Sequence, residues 1–189
     1  MTPPADPEAP GTSEAPAASR QPPAFREFAV LIPILLHEGE DCVLLTRRPE
    51  NLDRYAGQVC LPGGQRDPRD RSLAETALRE AQEEVGIPPE QVEILHELGW
   101  HETALLHRVK PFVARVRTPC PIVPDPLEVA RVLYLSVASI TPALFRVRGM
   151  WRGPDGRERT IYTFDLDGCE VWGLTARILR EAFLDAASG

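Results

Sequence analysis

Residues 1–24 carry almost no large apolar side chain and show no hydrophobic period. Such a segment cannot bury enough surface to offset its ordering entropy, which predicts a disordered Pro/Ala-rich tail ahead of a domain spanning 25–189. The texture changes at Phe25. Phe28 to Leu36 reads FAVLIPILL, a nearly unbroken apolar run of the kind expected for a strand buried on both faces. His37-Glu38-Gly39-Glu40-Asp41 is a polar turn, and Cys42 to Thr46 follows as a second strand, giving a hairpin. After Gly63-Gly64 the period becomes helical. Ser72 with Glu75 three residues on predicts a capping box and a helix start near Leu73. Gly86, Pro88 and Pro89 predict its end. On that helix Leu78, Ala81 and Val85 form the stripe suited to a core.

Downstream, Gln91 to Trp100 reads as a strand running into a loop, and Val109 to Val116 as another strand. Thr118 to Pro126 is proline-rich and predicts an exposed loop. Glu128 to Leu135 alternates as a strand, Val137 to Leu144 predicts a short helix, and Arg146–Trp151 with Thr160–Leu166 predicts a hairpin. The segment from Val171 to Ala187 predicts an amphipathic closing helix, packed across the sheet from the first.

Composition narrows the function classes. With 189 residues, 43% hydrophobic and 26% charged, the chain has the length and make-up of one soluble domain with a real core. A formal net charge of −7 argues against nucleic acid as a partner, which would demand a basic footprint. No apolar run approaches the roughly 18 residues of a membrane span. Without a leader pattern, the expectation is a cytoplasmic protein. Cys42, Cys60, Cys120 and Cys169 are scattered with no C-x-x-C pair, so free thiols are expected rather than zinc.

The candidate chemistry lies on the first helix. Glu80, Glu83 and Glu84 stand three and four residues apart, on one side of a helix, where like charges repel by a few tenths of a kcal/mol per pair. Water can screen such a face, or a cation can sit in it. The oxygen-only donor set suits a hard divalent ion such as Mg2+, shared with substrate phosphates. Arg47, Arg48 and Arg54 supply guanidinium forks that match phosphate oxygens, and Gly63-Gly64 permits a tight turn and close backbone approach to a ligand. Trp100, His101 and His107 fall in a loop. Because Mg2+ prefers oxygen, the histidines read as surface or hydrogen-bonded residues.

Arg79-Glu80-Ala81-Gln82-Glu83-Glu84-Val85-Gly86-Ile87 resembles the second half of the Nudix box, G-x5-E-x7-R-E-U-x-E-E-x-G-U with U apolar, and Gly64 matches its opening glycine. Asp70 stands at the first glutamate, and eight residues rather than seven separate it from Arg79. Leu44 to Gly64, LLTRRPENLDRYAGQVCLPGG, is similar to the signature of the coenzyme A pyrophosphatases within that superfamily, L-L-T-x-R-[SA]-x3-R-x3-G-x3-F-P-G-G. Pro49, Asp53 and Leu61 depart from it, and Arg54 follows one place after the expected arginine. The extra residue in the box recurs in that subfamily, and Trp172-Gly173-Leu174-Thr175-Ala176 is similar to its closing W-G-x-T-A segment.

The resemblance implies an α/β Nudix fold, a mixed β-sheet sandwiched between α-helices. It also implies a Mg2+- or Mn2+-dependent hydrolase acting on coenzyme A and its derivatives as small-molecule substrates, with 3′,5′-ADP and 4′-phosphopantetheine as products. Glu80, Glu83 and Glu84 are then the metal ligands, and Arg79 orients a carboxylate. Glu83 or Glu128 is the base. Arg47, Arg48, Arg54, Gly63 and Gly64 contact substrate. Within the enzyme class, ADP-ribose, NADH or dinucleoside polyphosphates are the alternative substrates. Outside it, the alternative is a non-catalytic nucleotide-sensing module.

Overall fold

The computed structural model describes residues 25–185 apart from positions 53, 54, 104, 106 and 154. The expected tail and Arg54 therefore lie outside the described residues. The chain opens with β1 (Arg26–His37) and β2 (Glu40–Arg47), joined by a turn in which Glu38 and Gly39 both take positive φ. Two short strands, β3 (Val59–Cys60) and β4 (Gly63–Gln65), lead into α1 (Leu73–Val85). Then come β5 (Val92–Glu97), β6 (His101–Glu102), β7 (His107–Val116) and β8 (Arg131–Ser136). The chain finishes with β9 (Arg146–Arg152), β10 (Glu158–Leu166), β11 (Cys169–Trp172), α2 (Gly173–Arg180) and a π-helical turn, Glu181–Asp185.

The larger sheet is mixed. β1 and β7 run parallel at its centre, from Arg26 beside His107 to Ile34 beside Arg115. The other pairings among the described residues are antiparallel: β2 and β4 share the second edge of β1, β5 and β6 lie on β7, and β3 and β8 flank β2. β9, β10 and β11 form a separate antiparallel sheet.

Strand alternation assigns the two faces. Ala29 and Leu31 of β1, with Phe112 and Ala114 of β7, meet Ala77 and Ala81 of α1. Farther along the same face, Leu35 and Leu44 pack with Val85 and Ile87. Ile32, Ile34, Val43, Leu45 and Val113 face the other way, onto Ala176, Ile178 and Leu179 of α2 and Phe164 of β10. The sheet is therefore held between two helices, as the α/β reading expected. Ala77 and Ala81 let α1 lie close to the sheet, and enlarging either would overpack the interface at about 1–3 kcal/mol.

Local departures have local causes. The stripe of α1 that meets the sheet is Ala77, Ala81 and Val85, all fully buried, whereas Leu78 is half-buried and Gln82 exposed. Ser72 accepts from the Glu75 N–H at 3.1 Å, but the Glu75 carboxylate takes the Arg71 N–H at 2.7 Å, so only half of the expected box forms. Val137 to Leu144 is two separate 3-10 turns rather than one helix, because Thr141 precedes Pro142 and is held extended at φ −122°. The closing helix begins at Gly173, not Val171: Val171 and Trp172 pair with Phe164 and Thr163 as strand. Glu128 lies in the turn ahead of β8, which starts only at Arg131.

Candidate functional site

Three rows of side chains run along α1 at four-residue spacing, and each meets a different environment. Ala77, Ala81 and Val85 face the sheet. Glu75, Arg79 and Glu83 face outward. Between them, Thr76, Glu80 and Glu84 border the core, so this row brings two carboxylates to the edge of apolar packing.

The outward row is closed by pairing. Arg79 donates to both oxygens of Asp70 at 3.1 Å, lies 2.8 Å from oxygens of both Glu80 and Glu83, and bonds the Gln65 carbonyl at 3.2 Å. Asp70 is 7% exposed and also accepts from the Thr76 hydroxyl at 2.8 Å and the Asp67 N–H at 3.0 Å. The Arg79 hydrogen bonds outweigh burial and hold the Asp70 carboxyl down at about 2. The shorter acid and longer spacing that depart from the box therefore still bring a carboxylate to Arg79. Glu83 is more than half exposed at the rim.

The inner row is the opposite. Glu84 is 3% exposed and its Oε2 has no hydrogen-bond partner. Burial, then the charges of Glu80 and Glu128, push its carboxyl up to about 8, against weaker lowering by Arg48 and by a hydrogen bond from the Gly63 backbone. Burial likewise raises Glu80, partly offset by Arg79. Gly64 is what leaves room for Glu80: a Cβ at this position would overlap the Glu80 carboxylate. At Gly63 a Cβ would overlap the Ala29 carbonyl of β1. The two glycines thus press β4 between β1 and α1.

Glu128 reaches this group from 44 positions downstream of Glu84. The loop before it donates from the Val123 and Asp125 N–H groups to the Val85 and Glu84 carbonyls, at 3.0 and 2.9 Å. The charges of Glu80 and Glu128 act on Glu84, while Glu83 acts on Glu80 from the exposed rim, where both meet Arg79. Arg48 enters from the end of β2. Its Nε is buried without a partner, and its charge acts on both Glu84 and Cys60. Arg47, the next residue back, points to the other face. It pairs with Glu50, donates to the Gly57 carbonyl at 3.3 Å and lines a small cavity of about 280 Å³ with Cys169 and Trp172.

Burial sets the state of two further side chains. Cys60 meets the Thr46 hydroxyl at 3.3 Å, and burial with the Glu84 charge raises its thiol to about 11, so it stays neutral. His101, read as a surface or hydrogen-bonded residue, is buried with its Nε2 3.3 Å from a Glu181 oxygen, and burial beside Arg177 and Arg159 lowers it to about 4. All four cysteines are free. Among the described residues, no three His, Cys, Asp or Glu side chains are drawn close enough to hold an ion unaided, and no helix is long and apolar enough to cross a membrane.

A family model of the NUDIX domain matches residues 26–159. The uncharacterized Nudix hydrolase NudL of Yersinia pestis (strain Pestoides F) is 38% identical over 155 residues, covering 82% of this chain and 77% of NudL. NudL of Yersinia pseudotuberculosis serotype O:1b matches with the same identity and coverage. A solved MutT/nudix family protein from Enterococcus faecalis superposes with a TM-score of 0.55 at 16% identity, over 89% of this chain and 64% of that one. RenU, a Nudix hydrolase from M. smegmatis, gives 0.51 at 22% identity, over 61% and 73%. At these identities the structural matches speak for the fold, while the family model and the NudL relatives carry the assignment: this chain belongs to the Nudix hydrolase family.

Proposed function

We propose that this protein hydrolyses the diphosphate bond of coenzyme A and its derivatives with Mg2+ or Mn2+, releasing 3′,5′-ADP and 4′-phosphopantetheine. The observation that carries the site is Glu84, a buried carboxylate with an unpartnered oxygen beside two further carboxylates. Left alone, that arrangement is costly, because burial and like charge both disfavour the ionised form. The residues fit a hard divalent ion. All donors are oxygens, Glu84 Oε2 is free, and Gly64 keeps the space that Glu80 fills. Mg2+ is commonly held by one or two carboxylates plus substrate phosphate, so a full protein cage is not needed. Bound there, the ion supplies charge neutralisation and an acidified water.

The chain's own residues divide the remaining work. Glu80 and Glu84 are the ligands, and Arg79 holds Glu80 in place while Asp70 anchors Arg79. Glu83, tied to Arg79 at the rim, is the weaker ligand candidate and the weaker base. Glu128, which faces Glu80 and Glu84, adds its negative charge to the cation site and is also the base we favour to take the proton of the attacking water. Arg48 directs a guanidinium with an unused Nε at the same space, where a phosphate oxygen would meet it. The Gly63-Gly64 backbone lines the approach. Arg47, on the opposite face, would touch only a more distant part of a substrate. Arg54, also proposed to contact substrate, lies outside the described residues.

The substrate reading rests on the similarity of Leu44–Gly64 and Trp172–Ala176 to coenzyme A pyrophosphatases. Product analysis tests it. Coenzyme A with Mg2+ should give 3′,5′-ADP and 4′-phosphopantetheine in equal amounts, faster than ADP-ribose, NADH or a dinucleoside polyphosphate is cut. Preferred cleavage of one of those would overturn the substrate, and no turnover on any would overturn the enzyme reading in favour of a nucleotide-sensing module.

A further inference from the structure

We propose that Asp125 is a positioning residue that fixes Glu128 against Glu84 and so completes the cation site; this rests on the metal-dependent reading above. α1 ends at Gly86 in the left-handed conformation, whose N–H and that of Ile87 return to the carbonyls of Gln82 and Ala81. The last carbonyls of the helix would otherwise need water. Two of them are met by the following loop, Glu84 by the Asp125 N–H at 2.9 Å and Val85 by the Val123 N–H at 3.0 Å. Asp125 is thus bonded to the backbone of the residue whose buried carboxylate has an unpartnered oxygen.

From the same residue the chain is folded back. The Asp125 side chain accepts from the Leu127 N–H at 2.9 Å, and its carbonyl accepts from the N–H groups of Glu128 and Val129 at 3.1 and 2.8 Å. This is an Asx-type turn, in which a short acidic side chain replaces a backbone acceptor. It drives Val129 into the core, at 4% exposure, beside Leu44 and Val85. It also leaves Glu128 on the solvent side, within reach of the charges on Glu80 and Glu84. One residue later, the Ala130 N–H donates to the Arg47 carbonyl at 2.8 Å, next to Arg48. The loop therefore spans both walls of the site, and Asp125 is where it grips α1 and turns.

A side chain whose backbone is hydrogen-bonded at its own residue and at the two that follow starts from a fixed point relative to its neighbours. Removing such an orienting partner typically weakens metal affinity about 10- to 100-fold. Mn2+ titrated into the full-length protein without substrate, followed by electron paramagnetic resonance, reads this directly. Asp125→Ala should weaken Mn2+ binding about 10-fold, and Asp125→Asn, which keeps the side-chain acceptor, should restore it to within about twofold of wild type. In a Glu128→Gln background, Asp125→Ala should have no further effect, since the carboxylate it positions is gone. Wild-type affinity in Asp125→Ala overturns the inference alone, as does an undiminished additional loss in the double variant, which would mean a general loop defect. Failure of the wild-type protein to bind Mn2+ overturns the inference together with the metal-dependent reading.

Discussion

Asp70, just ahead of α1, and Glu84, in its last turn, are both buried acids, and they are treated in opposite ways. Asp70 receives hydrogen bonds from Arg79, Thr76 and the Asp67 backbone and is held at about 2. Glu84 keeps an oxygen without a partner, sits among like charges and is raised to about 8. Burial is common to both. What differs is whether the protein itself supplies the compensating donors. Where it does, the acid is part of the scaffold, and where it does not, our proposal assigns the missing partner to a bound cation. Buried polar groups are otherwise so regularly satisfied that an orphaned carboxylate oxygen is informative.

The largest contrast should appear in turnover. Glu84→Gln and Glu80→Gln keep shape but remove a negative ligand, so kcat/KM at limiting Mg2+ should fall about 10- to 100-fold. Glu83→Gln, at the rim and already paired to Arg79, should fall no more than about threefold. Equal losses across the three would erase the distinction between the inner and outer rows. In stability the order reverses. Asp70→Asn removes charge-assisted hydrogen bonds worth about 1.5–3 kcal/mol, and at roughly 2–4 °C per kcal/mol for a domain this size the Tm should drop by several degrees. An unchanged Tm by calorimetry would show that Arg79 is held well enough by Glu80, Glu83 and Gln65 without it.

Much of this was legible in the sequence, and the exceptions follow a pattern. Ser72 and Gly86 gave both ends of α1 because caps are local chemistry, and the run from Phe28 to Leu36 announced the central strand because it is apolar on both faces. β11 escaped notice although Asp167-Gly168 is a two-residue hairpin turn with both residues at positive φ; the apolar Val171 and Trp172 fit a helix stripe equally well. Leu78 was misplaced on the core stripe, since its rival row, Ala77, Ala81 and Val85, is made mostly of alanine and looks weaker on paper than it packs. The cluster itself lay beyond one-dimensional reading. Glu80, Glu83 and Glu84 share a helix face in sequence, and the structure adds Glu128 to them, through backbone bonds between a proline-rich loop and a helix terminus that no residue pattern announces.

The central claim, that Glu84 is left uncompensated for a cation to complete, is tested most directly by thermal stability against pH with and without Mg2+. A carboxyl raised from 4.5 to about 8 favours folding below its unfolded value and loses that contribution as pH rises toward the folded one. Metal-free protein in a chelator should therefore lose Tm between about pH 5 and 8, and Glu84→Gln should be the more stable form at pH 8.5. Mg2+ at pH 8.5 should raise the Tm of wild type and leave Glu84→Gln nearly unmoved, because an ion that binds only the folded state stabilises it by mass action. If the two proteins trace the same curve and Mg2+ shifts both equally or neither, Glu84 is not the centre of a cation site.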